Sequence, residues 1–493
     1  MKKTWWSSRW AVLLAMVAST IPLWFVQLPP LIDLLAHMGR YHVQLNLADN
    51  PVLQRHWAFE WRLLGNLGFD LMMEGFGRVL GVEAGARVLA ALLVPLAIGG
   101  MVRLARAAHG EVPATAWAAL PFALAYPWQY GLVNYWLGFA LALHAAAWLR
   151  SRDVHWPVLG AVGVALWSVH IYGWAMLCVL VWSHVAASVT WRTIPRATLA
   201  LWPLGLPILL MIALDYGQAG IPKENFGWFL MALKLQAFFH ILRDQHQWLD
   251  LSSLALAIGL IFGGLKSRAF AVDPGLCGAA LLFLGAVLLL PFQLFGSAYA
   301  DARLWPVVLI VALLAIRPVE ASGRIAGGIA LAAAAVLGVR LAATTAGFVA
   351  YDRAYARHLA ALDRVPRGSR IASFVEFKCQ TPWRRDRLER LDGIAIVRRD
   401  AFTNGQWDVP GAQLLTPLGA AGTKFNADPS NLVRSGRCPR DLRGVLAQRI
   451  AALPRDRFEF VWIFGFSPAA LPVWPGLEPV FADKATILYR IER

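Results

Sequence analysis

Residues 10–40 read WAVLLAMVASTIPLWFVQLPPLIDLLAHMGR, an apolar run followed, after Pro29-Pro30, by a stretch in which charge returns at helical spacing. Residues 10–28 approach the roughly 20 apolar residues that a helix needs to cross a bilayer. Lys2 and Lys3 precede the run and no A-x-A cleavage pattern follows it, so it is expected to remain as a first span. Beyond it, Asp33, His37 and Arg40 fall at i, i+4 and i+7 and share a helix face with Gln44. Leu31, Leu34, Leu35, Met38 and Leu45 cluster opposite, and the proline pair suits a helix start, where the missing N–H groups are not needed. The pattern predicts an amphipathic helix lying on the membrane, with a carboxylate, an imidazole and a guanidinium on its wet face. Those are the parts needed to handle a phosphate-bearing lipid.

The rest of the chain extends the membrane reading. Its 493 residues are 58% hydrophobic and only 15% charged, which excludes an ordinary soluble protein. Apolar stretches at 10–28, 84–102, 113–128, 131–149, 155–170, 172–190, 197–214, 249–265, 275–295, 303–316 and 325–346 predict an α-helical polytopic membrane protein of about eleven transmembrane helices. The two stretches flanking His170 also read as one broken segment. Arg103 and Arg106, Arg150 and Arg152, Arg192 and Arg196, Lys266 and Arg268, and Arg317 and Arg324 all fall on the side of Lys2 and Lys3. By the positive-inside rule the amino terminus is cytoplasmic, and an odd number of spans places everything after residue 346 outside, which is the periplasm where the membrane is a bacterial inner one. Topology therefore accounts for much of the +16 formal charge, and no basic patch interleaved with aromatics points to nucleic acid. Trp5, Trp6, Trp128, Trp136, Trp148, Trp156 and Trp305 stand near segment ends and are expected to anchor at the headgroup level.

Two domains follow from this layout: residues 1–346 span the membrane, with interfacial helices in a first outer loop at 27–83, and residues 347–493 form a soluble periplasmic module. Asn66, Asp70, Glu74 and Arg78 recur every three or four residues and predict a second interfacial helix over 66–82. After 347, short apolar runs at 371–374, 394–397, 458–464 and 485–489 read as strands, with a helix at 442–453, which makes a small α/β domain. It holds 23 basic against 15 acidic residues, half of the net charge, and its surface suits anionic lipid or a charged polymer as well as plain solubility. Cys379 and Cys438 are the only cysteines there, and an oxidising periplasm would let them pair. Such a closure stabilises by on the order of 4 kcal/mol in the chain-entropy view.

Three sets of residues could carry chemistry. Asp33 can accept a proton from an attacking hydroxyl or hold a divalent metal such as Mg or Mn, Arg40 can grip a phosphate bidentately, and His37 can donate to phosphate, ligate metal or pair with Asp33. The wet face of a helix is the plain alternative for all three. Asp301 and Arg303, in the stretch 291–304, either clamp a diphosphate or sugar or tie two helix ends together. His170, in Ser168-Val169-His170-Ile171-Tyr172-Gly173, is either functional or a hydrogen-bonded residue at a helix end. No P-loop, dinucleotide fingerprint, His-Glu-x-x-His or Gly-x-Ser-x-Gly is present, which argues against an ATP-driven pump, a membrane oxidoreductase or a familiar hydrolase. A pre-activated, lipid-linked substrate fits that absence.

The layout resembles the GT-C type membrane glycosyltransferases, the class of protein mannosyltransferases, oligosaccharyltransferases and lipid-A aminoarabinose transferases. Pro29-Pro30-Leu31-Ile32-Asp33 with His37 and Arg40, Gly131-Leu132-Val133-Asn134-Tyr135-Trp136-Leu137-Gly138-Phe139, His170, and Asp301 with Arg303 look most like a group of bacterial multi-spanning membrane proteins placed with that class. The acidic pair that many members carry in the first loop is not adjacent here, so Asp33 is the sole match. The resemblance implies Asp33 as catalytic or metal-organising carboxylate, Arg40 and Arg303 at the donor phosphate, and His37 or His170 assisting. The implied reaction moves a sugar from a polyprenyl-phosphate donor to a glycan, lipid or protein at the outer face. Competing readings are a lipid or solute transporter or flippase, a surface-polysaccharide polymerase or ligase, and an assembly protein whose outer domain does the work. A transporter should show charges within its spans and an internal repeat, and neither stands out.

Overall fold

The computed structural model describes the chain except residues 1–3, 153–154, 215–229, 295–297, 320–322, 379–382, 410–412, 435–444 and 493. Cys379 and Cys438 lie outside the described residues. In chain order the main helices are α1 (Arg9–Ala18), α2 (Ile32–Asn46), α3 (Gly68–Leu80), α4 (Val82–His109), α5 (Val133–Arg150), α6 (Trp156–Val169), α7 (Ile171–Ala187), α8 (Met231–Phe239), α9 (Gln247–Lys266), α10 (Pro274–Leu289), α11 (Trp305–Ala315), α12 (Gly323–Leu359) and α13 (Gly393–Arg399). The chain forms two compact units: Met1–Phe25, Leu63–Phe69 and Leu89–Ala346 make the first, and Val26–Arg62, Asp70–Val88 and Gly347–Arg493 the second. Residues 26–62 and 70–88 therefore cluster with the C-terminal segment, whereas the sequence grouped them with the spans.

The first unit is helical. Among the described residues three helices are long and apolar enough to cross a membrane, within Val82–His109, Gln247–Lys266 and Gly323–Arg364, and a fourth is the pair Ile194–Ala200 and Trp202–Ala213 if its 59° bend is one span. Arg9–Leu23, Trp156–Val169, Ile171–Ala187, Pro274–Leu289 and Ala302–Ala315 are apolar but shorter. Leu14, Leu256, Phe262, Leu281 and Leu331 stand more than half exposed on these helices, an apolar surface that suits lipid. The run expected to span at 113–128 is instead a short helix, Ala114–Ala119, a 3-10 turn, Leu120–Leu124, and a second short helix, Tyr126–Tyr130. Pro113, Pro121 and Pro127 divide it, because a proline inside a helix removes one hydrogen bond and clashes with the preceding turn. Trp128 and Trp136, expected as interfacial anchors, are buried at 1% and 0% exposure inside the helix bundle. Close packing of α5 on α7 passes through Gly138 and Gly173. A Cβ on Gly173 would meet the Gly138 backbone at 2.7 Å, so only glycine admits this approach.

In the second unit a six-stranded mixed sheet is built on β2 (Arg370–Phe377), which pairs in parallel with β3 (Phe402–Thr403), β5 (Leu432–Arg434) and β6 (Phe460–Phe464). β8 (Thr486–Ile491) then runs antiparallel between β6 and the edge strand β7 (Leu477–Asp483). β2 and β6 are near-continuous apolar runs, as strands covered on both faces must be. Pro479 sits on the edge strand β7, beside a register shift, where its missing N–H leaves no inner ladder bond unmade. A separate ribbon pairs β1 (Trp57–Phe59) with β4 (Leu415–Pro417). The runs at 371–374, 458–464 and 485–489 are strands as expected. Residues 394–397 are not: they lie in helix α13, ended by Asp400 in the left-handed region at φ 50°. Four consecutive apolar residues satisfy a buried helix as well as a buried strand, and here packing on α2 decides. One core unites Val43 of α2, Trp57 of β1, Phe374, Ile396, Phe402, Phe425, Val461 and Ile463.

Candidate functional site

Helix α2 was expected to float on lipid with one wet face, but both faces are covered. Leu31, Leu34, Leu35, Met38 and Tyr41 are each 0% exposed, and so is Ala36, while Asp33 is 8% and Arg40 2% exposed. The cover comes from α13. Gly393 packs so closely that a Cβ there would collide with the Leu35 carbonyl and stand 2.8 Å from the Ala36 Cα. Gln406 donates from Nε2 to the Ala36 carbonyl at 2.8 Å, and Arg387 donates to the carbonyl of Pro30 at 2.5 Å. Pattern alone could not foresee this, since polar residues facing polar protein look like polar residues facing water.

The three side chains separate in role. Arg40 donates from Nη2 to Asp70 Oδ2 at 3.0 Å, with Oδ1 of the same carboxylate 2.8 Å away in the ion pair, and from Nη1 to Gln413 at 2.7 Å. Expected at the donor phosphate, it is thus engaged by a fully buried carboxylate that any phosphate would have to displace. Burial opposes its charge most strongly, but the Asp70 carboxylate and Tyr41 together outweigh this and hold the guanidinium more firmly protonated than usual. Asp33 lies 3.7 Å from Nε of Arg390, whose Nη1 donates to Asp428 at 2.7 Å and to the Gly405 carbonyl at 2.9 Å. The Arg390 guanidinium sits over the Trp407 ring at 4.8 Å, and the same ring lies 5.0 Å from His37. His37 is held neutral: burial, then the charges of Arg40 and Arg390, push its pKa well below the usual value. Its Nδ1 is buried with no hydrogen-bond partner among the described residues. A neutral imidazole can accept or relay a proton.

Among the described residues no three or more His, Cys, Asp or Glu side chains come together as a metal site, and the nearby charged group recorded for Asp33 is the guanidinium of Arg390 at 3.7 Å.

Helix α3 (Gly68–Leu80) realises the expected second helix. Glu74 and Arg78 pair at 2.8 Å, and Gln44 of α2 donates to Glu74 at 2.7 Å and to the Asp70 carbonyl at 3.0 Å. Asp70, read as part of a charged face, is instead the buried partner of Arg40.

A second cluster stands in the membrane unit. Asp301 pairs with Lys234 at 2.6 Å, and Lys234 also donates to the carbonyls of Val287 and Leu290. The salt bridge expected between Asp301 and Arg303 is absent. Arg303 is 8% exposed, donates to the Ala298 carbonyl at 3.0 Å, and lies over the rings of Tyr135 at 5.8 Å and Tyr172 at 5.9 Å. It has no carboxylate partner among the described residues, so the cluster of Lys234, Asp301 and Arg303 keeps a net positive charge. His170 joins α6 to α7 in an extended conformation, and its Nδ1 accepts from the Tyr172 N–H at 3.1 Å, an N-cap. Its ring packs edge-on to Tyr135 at 5.6 Å. Asn134 accepts from the Phe69 N–H and donates to the Asn66 carbonyl at 3.0 Å, which fixes the start of α3.

Sequence reasoning missed Arg390, Trp407, Asp428 and Gln413 around α2 and Lys234 beside Asp301. Arg390 stood in the dense basic stretch 384–390, where it looked like any solvated arginine. Lys234 was a lone cation in an apolar helix, which in a membrane is itself a signal.

No family model and no curated protein sequence matches the chain. Two solved structures share its fold: ArnT from Cupriavidus metallidurans in the apo state, with a TM-score of 0.52 at 12% identity, and ArnT from the same organism bound to undecaprenyl phosphate, with a TM-score of 0.51 at 13% identity. Each comparison covers 97% of this chain and 97% of the ArnT chain. The chain therefore has the ArnT fold along nearly its whole length, which is the fold its motifs led us to expect of a GT-C type protein.

Proposed function

We propose that this protein is a membrane glycosyltransferase that moves a sugar from a polyprenyl-phosphate donor to a glycan, lipid or protein acceptor on the extracytoplasmic face. The observation that carries the reading is the ArnT fold over 97% of the chain, one of the two matched structures holding undecaprenyl phosphate. In the proposed reaction an acceptor hydroxyl attacks the anomeric carbon, the bond from that carbon to the phosphate oxygen breaks, and polyprenyl phosphate leaves. Asp33 takes the hydroxyl proton, with neutral His37 beside the same Trp407 as Arg390 to relay it. Arg303 is our candidate for the donor phosphate, because its buried guanidinium has no carboxylate partner among the described residues and a phosphate would supply the opposite charge. Arg40 acts by holding Asp70.

The test is lipid analysis of a deletion strain complemented with the native gene or with Asp33→Asn. Loss of transfer should leave one polyprenyl-linked sugar accumulating in the deletion strain and in the Asp33→Asn strain at normal protein levels. Full activity of Asp33→Asn would remove Asp33 from the mechanism, and an unchanged lipid profile in the deletion strain would remove the function.

A further inference from the structure

The membrane unit contains a cavity of about 440 Å3 at the end of the helices away from Arg303 and His170 in the chain's alternation. It forms where the C-terminal ends of α4, α5 and α7 meet the N-terminal ends of α6 and α10. Its walls are apolar, with Leu159, Leu180 and Leu276 among them, and its polar lining includes Arg150, Arg152 and His184. Asp273 pairs with Arg150 through one carboxylate oxygen and caps α10 through the other, accepting from the Leu276 N–H at 2.8 Å. Arg152 makes no ion pair among the described residues and is exposed. With Arg150 balanced by Asp273, the mouth presents the exposed guanidinium of Arg152, unpaired among the described residues, plus an imidazole able to donate a hydrogen bond.

A single positive charge above an aliphatic floor matches a monoanionic phosphodiester carrying an apolar tail, and the volume lies within the range of small-ligand sites. The level in the bilayer fits as well. Trp156, at the start of α6, stacks on Trp202 with centroids 6.0 Å apart, and both rings are more than half exposed. Leu201, the neighbour of Trp202, lines the cavity. Exposed tryptophans mark the headgroup level, so the cavity mouth sits where phosphate groups lie. Arg103 and Arg106 end α4 on this side, the positively charged side that anionic leaflets attract.

We infer that this cavity is a binding site for an anionic glycerophospholipid of the leaflet on the positively charged side of the membrane, with the phosphodiester at Arg152 and Arg150 and an acyl segment against Leu180 and Leu276. The site is independent of the proposed transfer reaction and uses none of its residues.

Native mass spectrometry of the full-length protein, equilibrated in detergent with phosphatidylglycerol or phosphatidylcholine, tests it. Native protein should retain phosphatidylglycerol over phosphatidylcholine. Arg152→Gln, a change at an exposed side chain, should reduce that retention about fivefold, the worth of one basic residue facing an anionic headgroup. Leu180→Trp, which fills the floor, should reduce it without altering charge. Millimolar inorganic phosphate should leave retention unchanged, because the apolar tail supplies part of the binding. Equal retention of the two lipids, an unaltered preference in Arg152→Gln, or displacement by phosphate alone would each overturn the assignment.

Discussion

Replacing Asp70 by Asn removes one charge from the pair that holds α2 to α3 while keeping the side chain's shape. Arg40 is 2% exposed and Asp70 0% exposed, with the guanidinium 2.8 Å from the carboxylate. In Asp70→Asn the Arg40 cation would be left with neutral side-chain partners such as Gln413, Tyr41 and the substituted amide, a buried charge without its counter-ion. Breaking such a pair from one side costs about 3–5 kcal/mol. For a unit of roughly 200 residues, each kcal/mol lowers Tm by about 2–4 °C, so the expected drop is about 6–20 °C. Arg40→Met should fall by a similar amount, whereas Arg40→Met with Asp70→Leu should recover most of the loss, because two apolar side chains leave no charge behind. The assay is apparent Tm from tryptophan fluorescence of the detergent-purified chain at one scan rate, which controls for irreversible unfolding. The three variants form a double-mutant cycle with a coupling of about 2 kcal/mol or more. An Asp70→Asn protein within about 2 °C of native would refute the pairing as a structural constraint, and would return Arg40 to the list of groups free to meet a phosphate.

Gly393→Ala should destabilise the protein by about 1–3 kcal/mol, because the new methyl meets the Leu35 carbonyl and Ala36 Cα. Gly75→Ala is its control: nothing lies within 4 Å of that Cβ, and a helical alanine should match or exceed glycine in apparent Tm. Equal Tm values for native and Gly393→Ala protein would show that α13 does not press on α2. His37 gives a pH dependence of defined sign. Its pKa in the folded chain is lowered, so below the unfolded value of about 6.5 the unfolded chain takes up the proton first. Its contribution to stability is therefore fully present above about pH 6.5 and is lost as pH falls toward the folded pKa, at up to ~1.4 kcal/mol per pH unit. His37→Gln should flatten the fall in apparent Tm between about pH 6.5 and 5, and a slope identical to native would contradict the neutral buried imidazole.

Much of the architecture was legible because it rests on local chemistry. Hydropathy over about 20 residues marked the positions of α4, α9 and α12, and β-branched and aromatic runs marked β2, β6 and β8. What stayed hidden was the identity of partners. The 394–397 run carried no period that separates helix from strand, and its state followed from the α2 surface that it covers.

By itself, the sequence determined that the chain is a helical membrane protein with a C-terminal sheet region, and singled out Asp33, His37, Arg40, His170, Asp301 and Arg303 as candidates for chemistry. Hydrophobic free energy is read residue by residue, so a pattern reports which side chains avoid water. Only the tertiary structure decided that Arg40 serves Asp70, that Arg390 approaches Asp33, and that Lys234 takes Asp301 and leaves Arg303 without a carboxylate. Arg40 pairs with Asp70 and Lys234 with Asp301 across separations of 30 and 67 residues, and Asp33 meets Arg390 from the far end of the chain. No local periodicity encodes which distant group will supply the opposite charge once water has been excluded.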